Sequence, residues 1–290
     1  MKSGFVAVVG RPNVGKSTLV NALVGQKVAI TSPRPQTTRA TIRGVLTTGD
    51  TQIVFVDTPG LHRPRTALGE RLNRLVDGTL AEADATLFVL DATGEIGPGD
   101  RLIAERVAAT ERPVVVVVNK TDAAGPDDIG VRLAEAGEWD FAAYVPLSAL
   151  HAEGLDPLVE ELQALLPEGP AYFPPDMVTD QPERFLIAEL IREKFLGRLR
   201  DELPHSLAVT IEDLEEQDNG VLRIDARLIV ERDSQKGIVI GKGGSLIKEA
   251  GTEARRDIES LLGTKVFLDL RARVEKDWQE RPTVIDRMGM

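Results

Sequence analysis

The 290-residue sequence contains no cysteine. Disulfides, zinc–thiolate centres and thiol nucleophiles are thereby excluded, and the chain suits a reducing compartment. Long apolar runs are missing too: the valine run at 114–118 falls far short of the roughly 20 residues that span a bilayer. The opening Met1-Lys2-Ser3-Gly4 lacks the apolar core and cleavage pattern of a secretory signal, so a cytoplasmic location is expected. Basic charge is in deficit, with 35 Lys and Arg against 46 Asp and Glu, a net −11 at pH 7. That balance argues against general binding to a polyanion but hides a local exception. Within 236–276, nine basic residues face six acidic ones, a local +3 that leaves −14 for the remainder. A polyanion partner therefore belongs to the C-terminal part. With 42% hydrophobic and 28% charged residues, the length accommodates two globular domains, each with its own core.

Gly10-Arg11-Pro12-Asn13-Val14-Gly15-Lys16-Ser17, followed by Thr18, is a complete G-x-x-x-x-G-K-[ST] phosphate loop. An apolar run at 5–9 precedes it, and Leu19, Val20, Leu23 and Val24 follow at helical spacing. Strand, glycine loop and helix start form the setting in which backbone N–H groups converge on phosphate oxygens. Lys16 can then reach the β- and γ-phosphates, and the Ser17 hydroxyl can take Mg²⁺. Through residue 167, apolar strands at 5–9, 53–56, 86–90, 114–118 and 143–147 alternate with helical stretches at 68–80, 101–109 and 155–166. The alternation predicts an α/β domain, a mostly parallel sheet with helices on both faces. Residues 41–46 and 51–56, around Gly49-Asp50, predict a hairpin that adds one antiparallel edge strand.

Ligands of such a sheet sit beyond the carboxyl ends of its strands, where the remaining motifs fall. Asp57-Thr58-Pro59-Gly60 ends one strand: Asp57 can hold Mg²⁺ through water, and the Gly60 N–H can meet a γ-phosphate. Asn119-Lys120-Thr121-Asp122 ends the valine strand. An ionised Asp only accepts hydrogen bonds; guanine offers N1–H and N2–H₂ along one edge, and adenine lacks that pair. A site built around such a group rejects the analogue lacking it by on the order of 10⁴-fold. The Lys120 stem is expected along the base plane and Asn119 as a tie to the phosphate loop. A backbone N–H of Ser148-Ala149-Leu150 is expected at guanine O6. Residues 32–39, rich in Pro, Thr and Arg, read as a first switch, with Thr38, ahead of Thr37, on Mg²⁺ and γ-phosphate. An ordinary polar loop is the competing reading. Lys16, Thr38 and Gly60 then form the catalytic set, and Ser17, Thr38 and Asp57 the metal set.

GRPNVGKS, PQTTR, DTPG, NKTD and SAL, in this order, resemble the five nucleotide motifs of the translation-factor-like GTPases. The resemblance implies GTP and GDP as ligands, Mg²⁺ as cofactor and GTP hydrolysis as the reaction. One departure matters. Many such GTPases carry a water-orienting glutamine directly after the DxxG glycine, where this chain has Leu61. Leucine cannot polarise water, so intrinsic hydrolysis on the order of 10⁻³ s⁻¹ or slower is expected. Relatives with this substitution often have Asn at the position of Asn13 and use K⁺ in place of an arginine finger, which implies K⁺ activation here.

Prolines from 167 to 182 mark a linker, expected over 168–182, that closes a first domain of residues 1–167. Helical spacing at 184–199 is followed by strand patterns at 206–211 and 221–230. Gly241-Lys242-Gly243-Gly244 then enters a helix at 245–262, and 265–270 reads as a closing strand. Helix, strand, strand, GKGG, helix, strand resembles a KH domain of the bacterial type (type II), a smaller α+β domain expected over 183–280 with a tail at 281–290. In KH domains the GXXG loop clamps about four nucleotides against an apolar groove. The candidate RNA set is Ile238, Val239, Ile240, Gly241, Lys242, Gly243, Gly244 and Lys248, with Ile247 in the groove. Core packing is the competing role for the isoleucine–valine run.

Over its whole length the chain is similar to the Era family of bacterial ribosome-assembly GTPases. PQTTR, DTPGLH, the helix at 184–200 followed by Glu202-Leu203-Pro204, and IVIGKGGSLIK carry the likeness. It implies binding to 16S rRNA near the 3′ end and action on the 30S subunit during assembly. It also implies loose peripheral association with the inner face of the membrane; a monomer is expected. Two other classes stay open on the residues alone: an RNA chaperone with a vestigial GTPase, and a membrane-associated signalling GTPase whose KH-like domain binds protein.

Overall fold

The computed structural model describes residues 1–34, 37–61 and 66–288. The chain divides into two compact units: the main break falls between Asp180 and Gln181, and the short segments 32–34 and 66–68 group with the second unit. The first contains β1 (Lys2–Val9), α1 (Lys16–Val24), β2 (Ile42–Thr48), β3 (Thr51–Asp57), α2 (Ala67–Glu82), β4 (Ala85–Asp91), α3 (Pro98–Ala108), β5 (Val114–Asn119), α4 (Pro126–Gly137), β6 (Ala143–Leu147) and α5 (Leu155–Leu165). Its six strands lie in the order β2-β3-β1-β4-β5-β6. All neighbours pair in parallel except β2 with β3, a hairpin whose register closes at Thr48 opposite Thr51.

Every residue of β5, VVVVVN, is buried. β-branched side chains fit the pleated surface, and burial of both alternating faces requires helices above and below. Val114 and Val116 join one such core with Phe88, Ile103, Val107 and Ala136, where Trp139 packs at its edge. Trp139 stacks on Phe88 with ring centroids 5.4 Å apart. Val115 and Val117, on the opposite face, are equally buried. From β1 the chain passes to β3 on one side and later to β4 on the other. Order reverses there, which opens a crevice at the carboxyl ends of these strands. The helix α4 was not among the sequence expectations, although Ile129, Leu133 and Ala136 recur at helical spacing after Gly125-Pro126; of these only Ala136 is fully buried.

The proline-rich stretch after Pro167 hydrogen-bonds along this sheet rather than hanging as a free tether. Gly169 N donates to Met1 O at 3.0 Å and Val45 N to Val178 O at 2.9 Å. Ser3 Oγ donates to Pro170 O at 2.7 Å, and Thr179 Oγ1 to Arg43 O at 2.6 Å. The fully buried Gln52 accepts from Tyr172 N and Phe173 N through Oε1 and donates to Phe173 O through Nε2. The stretch looks irregular in sequence because its partners lie on another part of the chain.

The second unit contains α6 (Glu183–Leu196), α7 (Leu203–Ser206), β7 (Ala208–Glu216), β8 (Leu222–Val230), α8 (Asp233–Ile240), α9 (Ser245–Leu262), β9 (Val266–Val274) and α10 (Pro282–Arg287). β7 and β8 pair antiparallel, and β8 and β9 parallel. Lys194 of α6 pairs with Asp257, and Arg198, just past that helix, with Glu253, tying this segment to α9. Two helices were not among the sequence expectations: α8 at 233–240, ahead of GKGG, and α10, in the stretch expected as a tail from 281, where Val284 and Ile285 are buried. Both helices are under nine residues long, too short to show a full apolar stripe.

Candidate functional site

The phosphate loop joins β1 to α1. Gly15 caps the helix at φ 98°, and a Cβ there would lie 2.3 Å from Asn119 Nδ2, so only glycine fits. Lys16, nearly fully buried, donates from Nζ to Gly10 O at 3.1 Å and to Arg11 O at 3.0 Å. Burial lowers its ammonium pKa to about 8, against the pull of the Asp57 carboxylate. Burial likewise pushes the Asp57 carboxyl above the usual carboxylate range, opposed by Lys16 and by hydrogen bonds from Ser17 and Thr38.

Ser17 Oγ donates to Asp57 Oδ2 at 2.6 Å and lies 3.1 Å from Thr38 Oγ1, which is itself 3.4 Å from Asp57 Oδ2. The buried Asp57 Oδ1 finds no hydrogen-bond partner among the described residues. Two hydroxyls and a carboxylate with an orphaned oxygen form an all-oxygen donor set that fits Mg²⁺. The three residues expected to hold the metal, Ser17, Thr38 and Asp57, lie within hydrogen-bond distance of one another. Pro35 and Gln36 of the first switch, and His62 of DTPGLH, lie outside the described residues. Thr58 turns away from the crevice, donating to Val8 O at 2.8 Å, and so ties β3 to β1.

The base-reading loop is tied in similarly. Asn119 Nδ2 donates to Val14 O at 2.8 Å while its Oδ1 accepts from Ala149 N at 3.0 Å, linking phosphate loop and SAL turn. Asp122 accepts from Ser148 Oγ at 2.5 Å and is exposed, its carboxylate open to a ligand. Leu150, whose backbone belongs to the same turn, points its side chain to solvent at 70% exposure. Lys120 Nζ reaches Asn13 O at 2.7 Å. Two carboxylates beside the loop were missed from sequence: Asp100, which pairs with Arg11 at 2.8 Å, and Asp91, which pairs with Lys120 at 2.5 Å. Asp91 carries a readable signal, since it ends a buried strand as Asp57 and Asn119 do.

In the second unit, Gly241 takes φ 79°, and a Cβ on it would sit 2.8 Å from Leu246 N, which confines this turn to glycine. Lys242 and Gly243 are exposed at its tip. Beside it, α9 and β9 border a groove of about 410 Å³ lined by Ile247, Lys248, Thr252, Arg255, Phe267 and Leu270 among others. Lys248 and Ile247 were expected there; Arg255, Thr252 and the 56%-exposed Phe267 were not. Ile238 is exposed as expected. Val239 is fully buried, which removes it from the contact set: on the short α8 it faces the core.

A phosphate loop with an all-oxygen metal set and an acidic base reader, in a chain that also carries a KH-type unit, defines a P-loop GTPase with an appended KH domain. Comparison with known proteins agrees. The family model described as "50S ribosome-binding GTPase" matches residues 5–120, and the KH domain model matches 202–279. The chain is 54% identical to GTPase Era of Mycobacterium avium (strain 104) over 294 residues, covering 99% of this chain and 98% of that one. Against GTPase Era of Mycobacterium tuberculosis (strain ATCC 25618 / H37Rv) identity is 53% over the same coverage. Two solved structures, a variant of Aquifex aeolicus Era bound to GDP·AlF4⁻ and Era with MgGDPNP and nucleotides 1506–1542 of 16S ribosomal RNA, each match at TM-score 0.96 and 41% identity. Each covers 100% of this chain and 99% of its own. The chain belongs to the Era GTPase family.

Proposed function

We propose that this chain is a GTP-hydrolysing switch that holds 16S rRNA near its 3′ end and acts in assembly of the small (30S) ribosomal subunit. The observation that carries the reading is the convergence of Ser17, Thr38 and Asp57 beside Lys16, with Asn119 and Asp122 at the end of a strand in the same sheet. The nucleotide and RNA bound in the two related Era structures supply the ligand identities. Ser17, Thr38 and Asp57 would hold Mg²⁺, which would supply neutralisation of phosphate charge. Lys16, now satisfied by two loop carbonyls, has a donor to turn toward phosphate, and its buried charge becomes matched. Asp122 selects guanine. Leu61 packs against the core beside the site and offers water no polar group, so the intrinsic rate is low. Loss of the γ-phosphate removes the ligand of Thr38 and Gly60 and frees the switches.

Calorimetry with GTP, GDP and ATP tests the nucleotide reading: tight binding of the guanine pair is expected, and ATP bound as well as GTP would sink it. The exposed Asn13 offers an amide oxygen that suits K⁺, so hydrolysis is expected to run faster in K⁺ than in Na⁺ buffer. Equal rates remove that part. The proposed working state is a cytoplasmic monomer. No helix among the described residues is long and apolar enough to cross a membrane. The net charge of −11 opposes an anionic bilayer, so peripheral contact at its inner face would rest on the local basic stretch.

A further inference from the structure

Beside the nucleotide site lies a carboxylate that none of its motifs contains. Asp91 ends β4 and stands in register with Asn119 on β5. Its Oδ1 accepts from Thr93 N at 3.0 Å and from Thr93 Oγ1 at 2.6 Å, which anchors it to its own turn. Its Oδ2 accepts from Lys120 Nζ at 2.5 Å. The same ammonium donates to Asn13 O, in the phosphate loop. Lys120 has φ 68° and Asn13 φ 66°, left-handed positions that non-glycine residues seldom adopt. Two strained backbone positions, one in the base-reading loop and one in the phosphate loop, thus meet at one ammonium that Asp91 neutralises. Partial burial would raise the Asp91 carboxyl, but hydrogen bonds from Lys120 and Thr93 outweigh it and hold that carboxyl below its ordinary range.

We propose that Asp91 is a positioning residue for guanine nucleotides: it fixes the Lys120 ammonium over the Asn13 carbonyl and keeps the Lys120 stem where the base lies. The inference rests on reading residues 119–122 as the guanine site. Asp91 pairs with Thr93 and Lys120 and not with Lys16, Ser17, Thr38 or Asp57, so its effect is expected to fall equally on ground and transition states. That pattern changes KM and nucleotide release while leaving kcat alone. Guanine-over-adenine selectivity also stays, because Asp122 has its own partner in Ser148.

The test is D91N, which keeps an oxygen for Thr93 and removes the charge from Lys120. Release of a fluorescent GDP is expected to accelerate roughly tenfold, the scale of one charge-assisted hydrogen bond, with KM for GTP rising by the same factor. D91E, which keeps the charge, is expected within about threefold of wild type. K120A should release GDP at least as fast as D91N, and D91N should add nothing in the K120A background. Unchanged GDP release in D91N, or an undiminished effect in the K120A background, overturns the proposal. If D91N does not fold, D91E against K120A decides, and equal release from those two overturns it. A wild-type protein that binds ATP as well as GTP defeats the guanine-site reading instead, a result separable from selective wild type with indifferent D91N.

Discussion

Lys16 is where sequence and structure say different things about one residue. Its membership of G-x-x-x-x-G-K-[ST] is legible without coordinates. Its protonation is not, because the lowering of its pKa to about 8 comes from burial created by the folded loop. The sign of the consequence follows from linkage. Bound polyphosphate favours the charged amine, so the complex keeps its proton to higher pH than the free protein. Affinity for GDP is expected to be flat between pH 7 and 8 and to fall above about 8, by at most about tenfold per pH unit. Calorimetry in two buffers of different ionisation enthalpy should show proton uptake growing through this range; buffer-independent heats would mean that Lys16 stays charged in the free protein. The nucleotide-free fold should conversely gain stability from about pH 8 toward Lys16's ordinary 10.5, where the unfolded chain binds a proton that the folded one does not. The metal trio was legible too. Asp57 ends a strand and Ser17 opens a helix beside the phosphate loop, which made them readable, whereas Thr38 lies in a loop and was read from its Pro-, Thr- and Arg-rich surroundings; Asp91 offered the same strand-end signal as Asp57, and the Asp100–Arg11 pair is set by packing between elements.

Among elements, the parallel strands were readable from buried apolar runs and α1 from its place after the phosphate loop. The short α8 and α10 span too few residues to show a stripe, while α4 was unread although Ile129, Leu133 and Ala136 fall at helical spacing. Replacing Phe88, fully buried and stacked on Trp139, with Ala should cost about 3–5 kcal/mol of first-unit stability by denaturant titration. The strap after Pro167 makes a different prediction. Gln52 satisfies three strap backbone groups from a fully buried position. Gln52→Ala leaves those groups unpaired, at about 1–3 kcal/mol for each one that water does not reach. Limited proteolysis should then cut within 170–180, where the wild-type strap resists; equal resistance would show that the remaining hydrogen bonds to residues 1, 3, 43 and 45 suffice.

On the scale of the whole molecule, charge decides which part can hold a polyanion. The −11 of the chain conceals the +3 over 236–276. Within that stretch Lys242 is exposed at the loop tip, and Lys248 and Arg255 line the groove together with Asp269. Each phosphate neutralised on a single strand contributes about −0.7 to the slope of log affinity against log salt. Lys248→Ala is therefore expected to flatten that slope by about 0.7, and replacing Lys242 and Gly243 by Asp to abolish crosslinking to a 16S 3′-end oligonucleotide. Phe267, exposed beside the groove, can stack on a base and is indifferent to salt: Phe267→Ala should weaken binding by about 1–3 kcal/mol with the slope unchanged. If nucleotide state governs RNA binding, affinity with a non-hydrolysable GTP analogue exceeds that with GDP by the factor through which RNA tightens the analogue over GDP, because coupling is reciprocal. A coupling of about 1–3 kcal/mol makes both differences measurable. Unequal RNA affinities without the matching change in nucleotide affinity would break the cycle and point to a third ligand. Equal affinities at matched salt would leave two independent activities on one chain.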